Sequence, residues 1–252
     1  MTRRDYDNPP IEEAVCEFRF APGPVWSITV PGLFYEKIKD VYPREPQQQN
    51  LIQAEFKIGQ VPANSEIELK QSMTKLLFLS TDAKKLVGVG TDILSIHSLR
   101  PYEGWGDFRG RIDESFLAYL EVAKPVGVTR IALRYINRIS VPVTQEIQID
   151  EYFTIYPQLP DDAPSRLSGF LTRTESIYED IPIKLAITFS DAVDPNQQPV
   201  FILDLEVSQD WAEKPLPLEE ALSHLYELKQ RQGQVFENLI TDRARELFNV
   251  VK

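Results

Sequence analysis

The stretch "RIALRYINRISV", residues 130–141, decides how this chain is built. Its isoleucines, tyrosine and valine suit a pleated, half-buried surface better than a helix. Read as a strand, it places Ile131, Leu133, Tyr135, Asn137 and Ile139 on one face. Arg130, Arg134 and Arg138 fall on the other face, with Ala132 and Ile136 between them. Successive arginines then stand about 13 Å apart, from a rise of ~3.3 Å per residue, so one phosphate does not touch all three. Read as a helix, the same residues would lie within about 6 Å of one another and could share an anion. The strand reading gives them a different task. Asp204 and Glu206 share the polar face of another alternating run, 201–207, and Glu175 and Glu179 are nearby in sequence. Opposite charges on neighbouring strands stabilise a sheet, so the guanidinium groups are expected to meet the chain's own carboxylates. An anion- or partner-binding face is the alternative.

The alternation spreads in both directions from this centre. Ala14, Cys16, Phe18 and Phe20 share a side, as do Ile52, Ala54, Phe56 and Ile58. Segments 66–72, 75–81, 85–90 and 92–98 read as short strands of a meander, and 166–178 as a further strand. Ile183, Leu185, Ile187 and Phe189 form one apolar row and Phe201, Leu203, Leu205 and Val207 another, flanking a loop at 191–199. Residues 43–50, "PREPQQQN", read as a polar loop broken by proline.

Helical spacing marks three further segments. Residues 31–42 carry Leu33, Phe34, Ile38 and Val41 on one stripe, with Pro31 in the first turn. Residues 107–123 place Phe108, Ile112, Phe116 and Leu120 at intervals of four, with Asp107 as the expected N-cap. The last helix starts near Pro217, with Leu218, Leu222, Leu225, Phe236, Leu239, Ile240 and Leu247 on its apolar side. If unbroken it would be a rod of about 32 residues, roughly 48 Å long. Gly233 argues against that, since an interior glycine costs roughly 1 kcal/mol relative to alanine. A kink or a close helix contact is expected there. The order of elements predicts an α+β fold: a mainly antiparallel, strongly twisted sheet with three principal helices on one face and a long C-terminal helix. We read 1–252 as a single domain, with 1–125 and 126–252 as two similar halves left open.

Composition narrows the function classes. With 252 residues, 42% of them hydrophobic, the chain can bury a sizeable core. No window approaches the ~18 consecutive apolar residues of a membrane helix. "MTRRDYDNPP" at the start has arginines but no apolar stretch behind them, unlike a secretory signal. Cys16 is the one cysteine, so no intrachain disulfide forms, and its alternating surroundings predict a buried, inert thiol. These features point to a cytoplasmic protein without membrane contact. A net charge of −11 repels polyanions, and non-specific nucleic-acid binding needs a basic face, so nucleic acid is not the expected partner.

Catalytic signatures are missing. The chain has no GxSxG, and "GVGTD" at 88–92 is too short for a phosphate loop and reads as a turn. His97 and His224 have none of the spacings that build a metal site. His224 is read as a helix-surface or interface residue, with general-base use as its sharper alternative. Glu12, Glu13, Asp161 and Asp162 read as solvated loop charges. No cofactor or metal is expected. "RPYEGWGDF" at 100–108 is more pointed, because Tyr102 and Trp105 sit in a glycine-flanked loop entering a helix. Exposed rings of this kind anchor interfaces; alternatively they fold back on the core as a lid.

Four segments together, "NPPIEEAVCEFRF", "LRPYEGWGDFRGRI", "GVTRIALRYINRI" and "LSHLYELKQRQGQVFENLIT", resemble an uncharacterised, sporadically distributed bacterial family of similar length. The resemblance implies a stand-alone prokaryotic protein of the cytoplasm, and patchy distribution hints at a defence or mobile-element setting. It brings no activity, cofactor or site residue with it. The expected function is a non-catalytic binding or interaction protein. It would use the 100–108 loop, the arginine-bearing strand and the long helix, the last for a protein partner or self-association. The alternative is a small-anion receptor or enzyme in which Arg134, Tyr135, Asn137 and Arg138 orient the ligand and His224 or a carboxylate serves as base.

Overall fold

Nine segments of alternating sequence join into one antiparallel sheet in the computed structural model. It describes residues 6–23, 26–54, 69–142, 148–160, 162, 168–192, 194, 198–211 and 213–249, the side chains of 49–54 and 69–74 excepted. In chain order the elements are β1 (Ile11–Phe20), α1 (Val30–Ile38), β2 (Gln47–Ala54), β3 (Leu69–Leu79), β4 (Lys85–Val89), β5 (Ile93–Leu99), α2 (Trp105–Ala123) and β6 (Val128–Ser140). They continue with β7 (Leu171–Ile177), β8 (Ile183–Ala192), β9 (Val200–Asp210), α3 (Ala221–Leu239) and a short α4 (Asp242–Glu246). The sheet order is β2-β3-β4-β5-β1-β6-β9-β8-β7.

The order repeats about the junction of β1 and β6. On each side the first strand is central, the last strand lies against it, and the others step outward to the edge. A helix follows the last strand on each side, α2 after β5 and α3 after β9. The opening stretch, as β6, therefore sits in the middle, paired with β1 and β9.

Alternation sorts side chains between two unlike faces. Ala14, Cys16, Phe18 and Phe20 of β1 and Ile131, Leu133 and Tyr135 of β6 lie under α1, α2 and α3 in one large core. Ile139, Phe189, Phe201 and Leu203 pack with Tyr152, Phe153, Phe236 and Phe248 in a second, aromatic core. Burial raises the Cys16 thiol well above its ordinary value, as suits an inert core residue. Among the described residues no helix is long and apolar enough to cross a membrane.

Several boundaries differ from the sequence reading. Segments 66–72 and 75–81 fall largely in one strand, β3, and β2 begins at Gln47 inside the expected polar loop. Helix α1 stops at Ile38, four residues before the expected end at 42. Gly104, not Asp107, caps α2; its φ of +90° belongs to the region glycine favours, and Asp107 supplies negative charge in the first turn. The C-terminal rod is broken, but not at Gly233. Ile240 turns extended and inserts into the aromatic core, and Thr241 caps α4 by accepting from Ala244 N. Phe56, Ile58, residues 66–68 and 166–167, and Asp161 lie outside the described residues.

Candidate ligand cleft

The two cores meet at a cleft of about 360 Å³ floored by β6. Tyr135 and Asn137 rise from the floor, where the period of two sends them to the helix-covered side. Tyr102, from the loop that leads into α2, and Trp105, the helix's first residue, form one wall. Lys229, Gln232, Gly233 and Phe236 line the α3 wall. Tyr6 and the Pro9-Pro10 segment close the third side. That segment is pinned at both ends: Asp7 N donates to Asn249 O at 2.9 Å, and Arg138 N to Pro10 O at 2.8 Å.

The rings are held by their neighbours. Tyr102 and Trp105 both meet Phe108 edge-on, so they fold back on the core, yet each leaves a side to the cleft. Tyr102 and Tyr135 share a hydroxyl–hydroxyl hydrogen bond of 3.0 Å. Tyr6 donates to Glu237 Oε1 at 2.7 Å, and Arg245 Nε donates to Glu237 Oε2 at 2.9 Å. Asn137 Nδ2 donates to Leu203 O at 2.9 Å and, at 3.4 Å, to Tyr135 O, which fixes the amide from the floor side.

Lys229 is the cleft's cation. Its Nζ stands 4.2 Å from the centroid of Tyr135 and 5.8 Å from that of Trp105, and donates to Gln232 Oε1 at 2.9 Å. An ammonium over ring faces is attracted by their quadrupoles. Gln232, only 3% exposed, holds the amine from one turn further along the helix. Behind the aromatic wall, Arg111 bridges the loop to the sheet. Its Nε donates to Glu103 Oε1 at 2.8 Å, its Nη1 to Tyr42 Oη at 2.8 Å and its Nη2 to His97 O at 3.0 Å. Lys85 Nζ approaches Glu103 Oε2 at 2.8 Å. Burial alone would raise the Glu103 carboxyl; the Arg111 and Lys85 donors outweigh it and hold the group below its ordinary value.

The arginines of β6 face the other way. Arg134 makes a bidentate pair with Asp204 at 2.8 and 2.6 Å. Arg130 Nη2 donates to Glu206 Oε1 at 2.7 Å and its Nε lies 3.3 Å from Asp210 Oδ1; Arg138 Nη2 donates to Asp194 Oδ2 at 2.7 Å. Hydrogen bonding to Asp204 raises the Arg134 guanidinium above its ordinary value. Glu175, considered as a mate for these residues, pairs with Arg173 instead. The fold thus separates the set expected around one anion: Tyr135 and Asn137 line the cleft, while Arg134 and Arg138 stand on the opposite face.

His224 lies elsewhere on α3, with Nδ1 3.0 Å from Gln209 Oε1 and its ring edge-on to Trp211. Burial lowers its pKa, with Glu220 opposing. His97 is on the arginine-bearing face, 2.7 Å from Glu13 Oε1. Among the described residues no group of three or more His, Cys, Asp or Glu side chains is placed to hold a metal.

Lys229 and Gln232 escaped the sequence reading. The signal was there: they continue the buried stripe of Leu225 and Phe236 at spacings of four, three and four, where a lysine and a glutamine are out of place. No family model, curated protein or solved structure matches this chain. The likeness of the four segments above therefore stands on their residues alone.

Proposed function

We propose that this chain is a non-catalytic binding protein whose cleft receives a small molecule with a flat, apolar body and an acidic head. One observation carries the reading: the Lys229 ammonium is held inside an aromatic-lined hollow by Gln232 and the faces of Tyr135 and Trp105. A ring system would stack on Tyr102 and Trp105, and a carboxylate would meet Nζ in a setting where charge-assisted bonds are strong. The amide oxygen of Asn137 is a further acceptor, since its nitrogen is engaged by two carbonyls. Of the carboxylates that also line the cleft, Glu103 is bonded by Arg111 and Lys85, and Glu237 by Tyr6 and Arg245, and Asp7 is the third. The same walls are the 100–108 loop and the long helix expected as contact surfaces. Binding along α3 by a second helix is a weaker reading, because Ala221, Leu225, Leu228 and Phe236 are spent on the sheet and the cores.

The test is a titration with indole-3-acetate and benzoate against their uncharged amides, followed at the Trp105 indole N–H by NMR. Carboxylates should bind several-fold more tightly than amides. Lys229→Met should level the two, and Gly233→Leu, which builds a side chain into open space on the cleft wall, should abolish both. Shifts that persist unchanged in Gly233→Leu, or no response to any of the four compounds, would overturn the reading.

A further inference from the structure

We propose that this chain pairs with a second copy of itself through the outer edge of β7, continuing the sheet across a two-fold axis at Thr174. β7 is the terminal strand of the sheet and runs its seven residues against β8 without bulge or register shift. The other terminal strand, β2, carries a register break between Asn50 and Leu51. Bulges, prolines and charges, lysine above all, are how proteins usually spoil an open edge; "LTRTESI" has no bulge, proline or lysine, and its two charges, Arg173 and Glu175, are of opposite sign. Six of its residues are exposed, among them Leu171 at 71% and Ile177 at 64%.

The sequence of this edge is self-complementary. An antiparallel pairing centred on Thr174 sets Leu171 opposite Ile177 of the second copy, Thr172 opposite Ser176, and Arg173 opposite Glu175. Apolar thus meets apolar and cation meets anion, each pair twice. The backbone phase agrees. Tyr178 N donates to Ile183 O at 3.0 Å, in register with the β7–β8 ladder. Because ladder bonds alternate, Thr172, Thr174 and Ser176 bond inward to β8, while the N–H and C=O groups of residues 171, 173, 175 and 177 point outward. Among the described residues no backbone bond reaches those groups from outside. A two-fold axis at Thr174 puts outward-facing residues opposite outward-facing residues, as a hydrogen-bonded ladder requires. The existing Arg173–Glu175 contact of 2.7 Å lies within one exposed strand and exchanges for two cross-strand contacts of the same kind. No residue of β7 lines the cleft, so pairing and ligand binding are separable.

Light scattering on the full chain at about 100 μM, where a Kd of roughly 10 μM still leaves most chains paired, should give a mass near twice 28.9 kDa. Arg173→Glu alone, or Glu175→Arg alone, sets like charges opposite each other and should return the monomer. The double exchange R173E/E175R restores opposite charges and should restore the dimer, which loss of folding would not do. Glu175→Pro removes an outward N–H together with the Glu175 carboxylate and should also give a folded monomer, and Thr174→Pro is avoided because its N–H bonds inward to β8. A monomeric wild type at that concentration, or a dimer indifferent to the single exchanges, would overturn the proposal.

Discussion

Two arginines on opposite sides of the sheet show how one chemistry yields different consequences. Arg111, on the sheet-facing side of α2, and Arg134, on the arginine-bearing side of β6, each grip a carboxylate. The Arg111 and Glu103 side chains are 8% and 10% exposed, whereas the Arg134 side chain is 45% exposed. A buried pair cannot exchange its partner for water, so losing one member strands the other charge in a poorly solvated site. An exposed arginine rehydrates. The Arg111–Glu103 contact is therefore hard to replace, whereas Arg134 with Asp204 and Lys184 with Asp210 have water at hand; the shielded Lys75–Glu17 pair, 8% and 19% exposed, lies on the arginine-bearing side too.

Removing the buried carboxylate is the harshest test of this contrast. Glu103→Gln should cost about 3 kcal/mol, read as a lowered midpoint in urea unfolding. The cleft's aromatic wall hangs on the same loop, so Tyr102 and Trp105 signals should broaden as well. The pH dependence follows from the lowered Glu103 carboxyl. A depressed folded pKa adds stability that is complete above the unfolded value, about 4.3, and is lost as pH falls through the folded value. The gap between wild type and variant should therefore be full at neutral pH and shrink below about pH 4. A gap that stays constant into acid would mean the ion pair is not what separates the faces.

Gly233 gives the next largest effect, with the opposite sign. It lies inside α3, and a Cβ built there meets nothing within 4 Å. Gly233→Ala should stabilise the protein by roughly 0.8 kcal/mol through helix propensity, seen as a higher melting temperature. Gly233 lines the cleft wall, so the methyl group would enter the cleft's open space and not a packed contact. Destabilisation by alanine would show a constraint on α3 that its contacts do not reveal.

Alternation made the sheet readable from sequence, because burial on one side leaves a period of two in every strand of β1, β6, β8 and β9. It also held the information that Arg134 and Tyr135 diverge. Side chains one residue apart on a strand leave opposite faces, so Arg134 and Tyr135 do not share an anion. The α3 break at Ile240 was hidden for another reason: apolar spacing continues through Leu239, Ile240 and Leu247, and only the Thr241 cap and the pull of the aromatic core end the helix. The cleft itself is non-local. Tyr6 and Glu237 are 231 residues apart in sequence when they bond, and Lys229 becomes distinctive only once Tyr135 lies beneath it. Periodicity within a segment carries no record of which segments meet.

The smallest effect is expected at Arg134, on the arginine-bearing face, and it measures the contrast most directly. Arg134 and Asp204 form the best-aligned pair there, so they set an upper bound for the row. Solvent exposure of the arginine discounts that alignment, and a double-mutant cycle of Arg134→Gln with Asp204→Asn should return a coupling of about 0.5 kcal/mol. The coupling should fall further in about 1 M salt, where the screening length is near 3 Å. Neighbouring pairs will blur the single variants, since Glu206 and Glu13 also act on the Arg134 guanidinium; the cycle cancels those contributions as long as both remain in place. A coupling comparable to the loss in Glu103→Gln would mean that water is excluded around Arg134 as well as around Arg111, and the contrast between the two sites would fail.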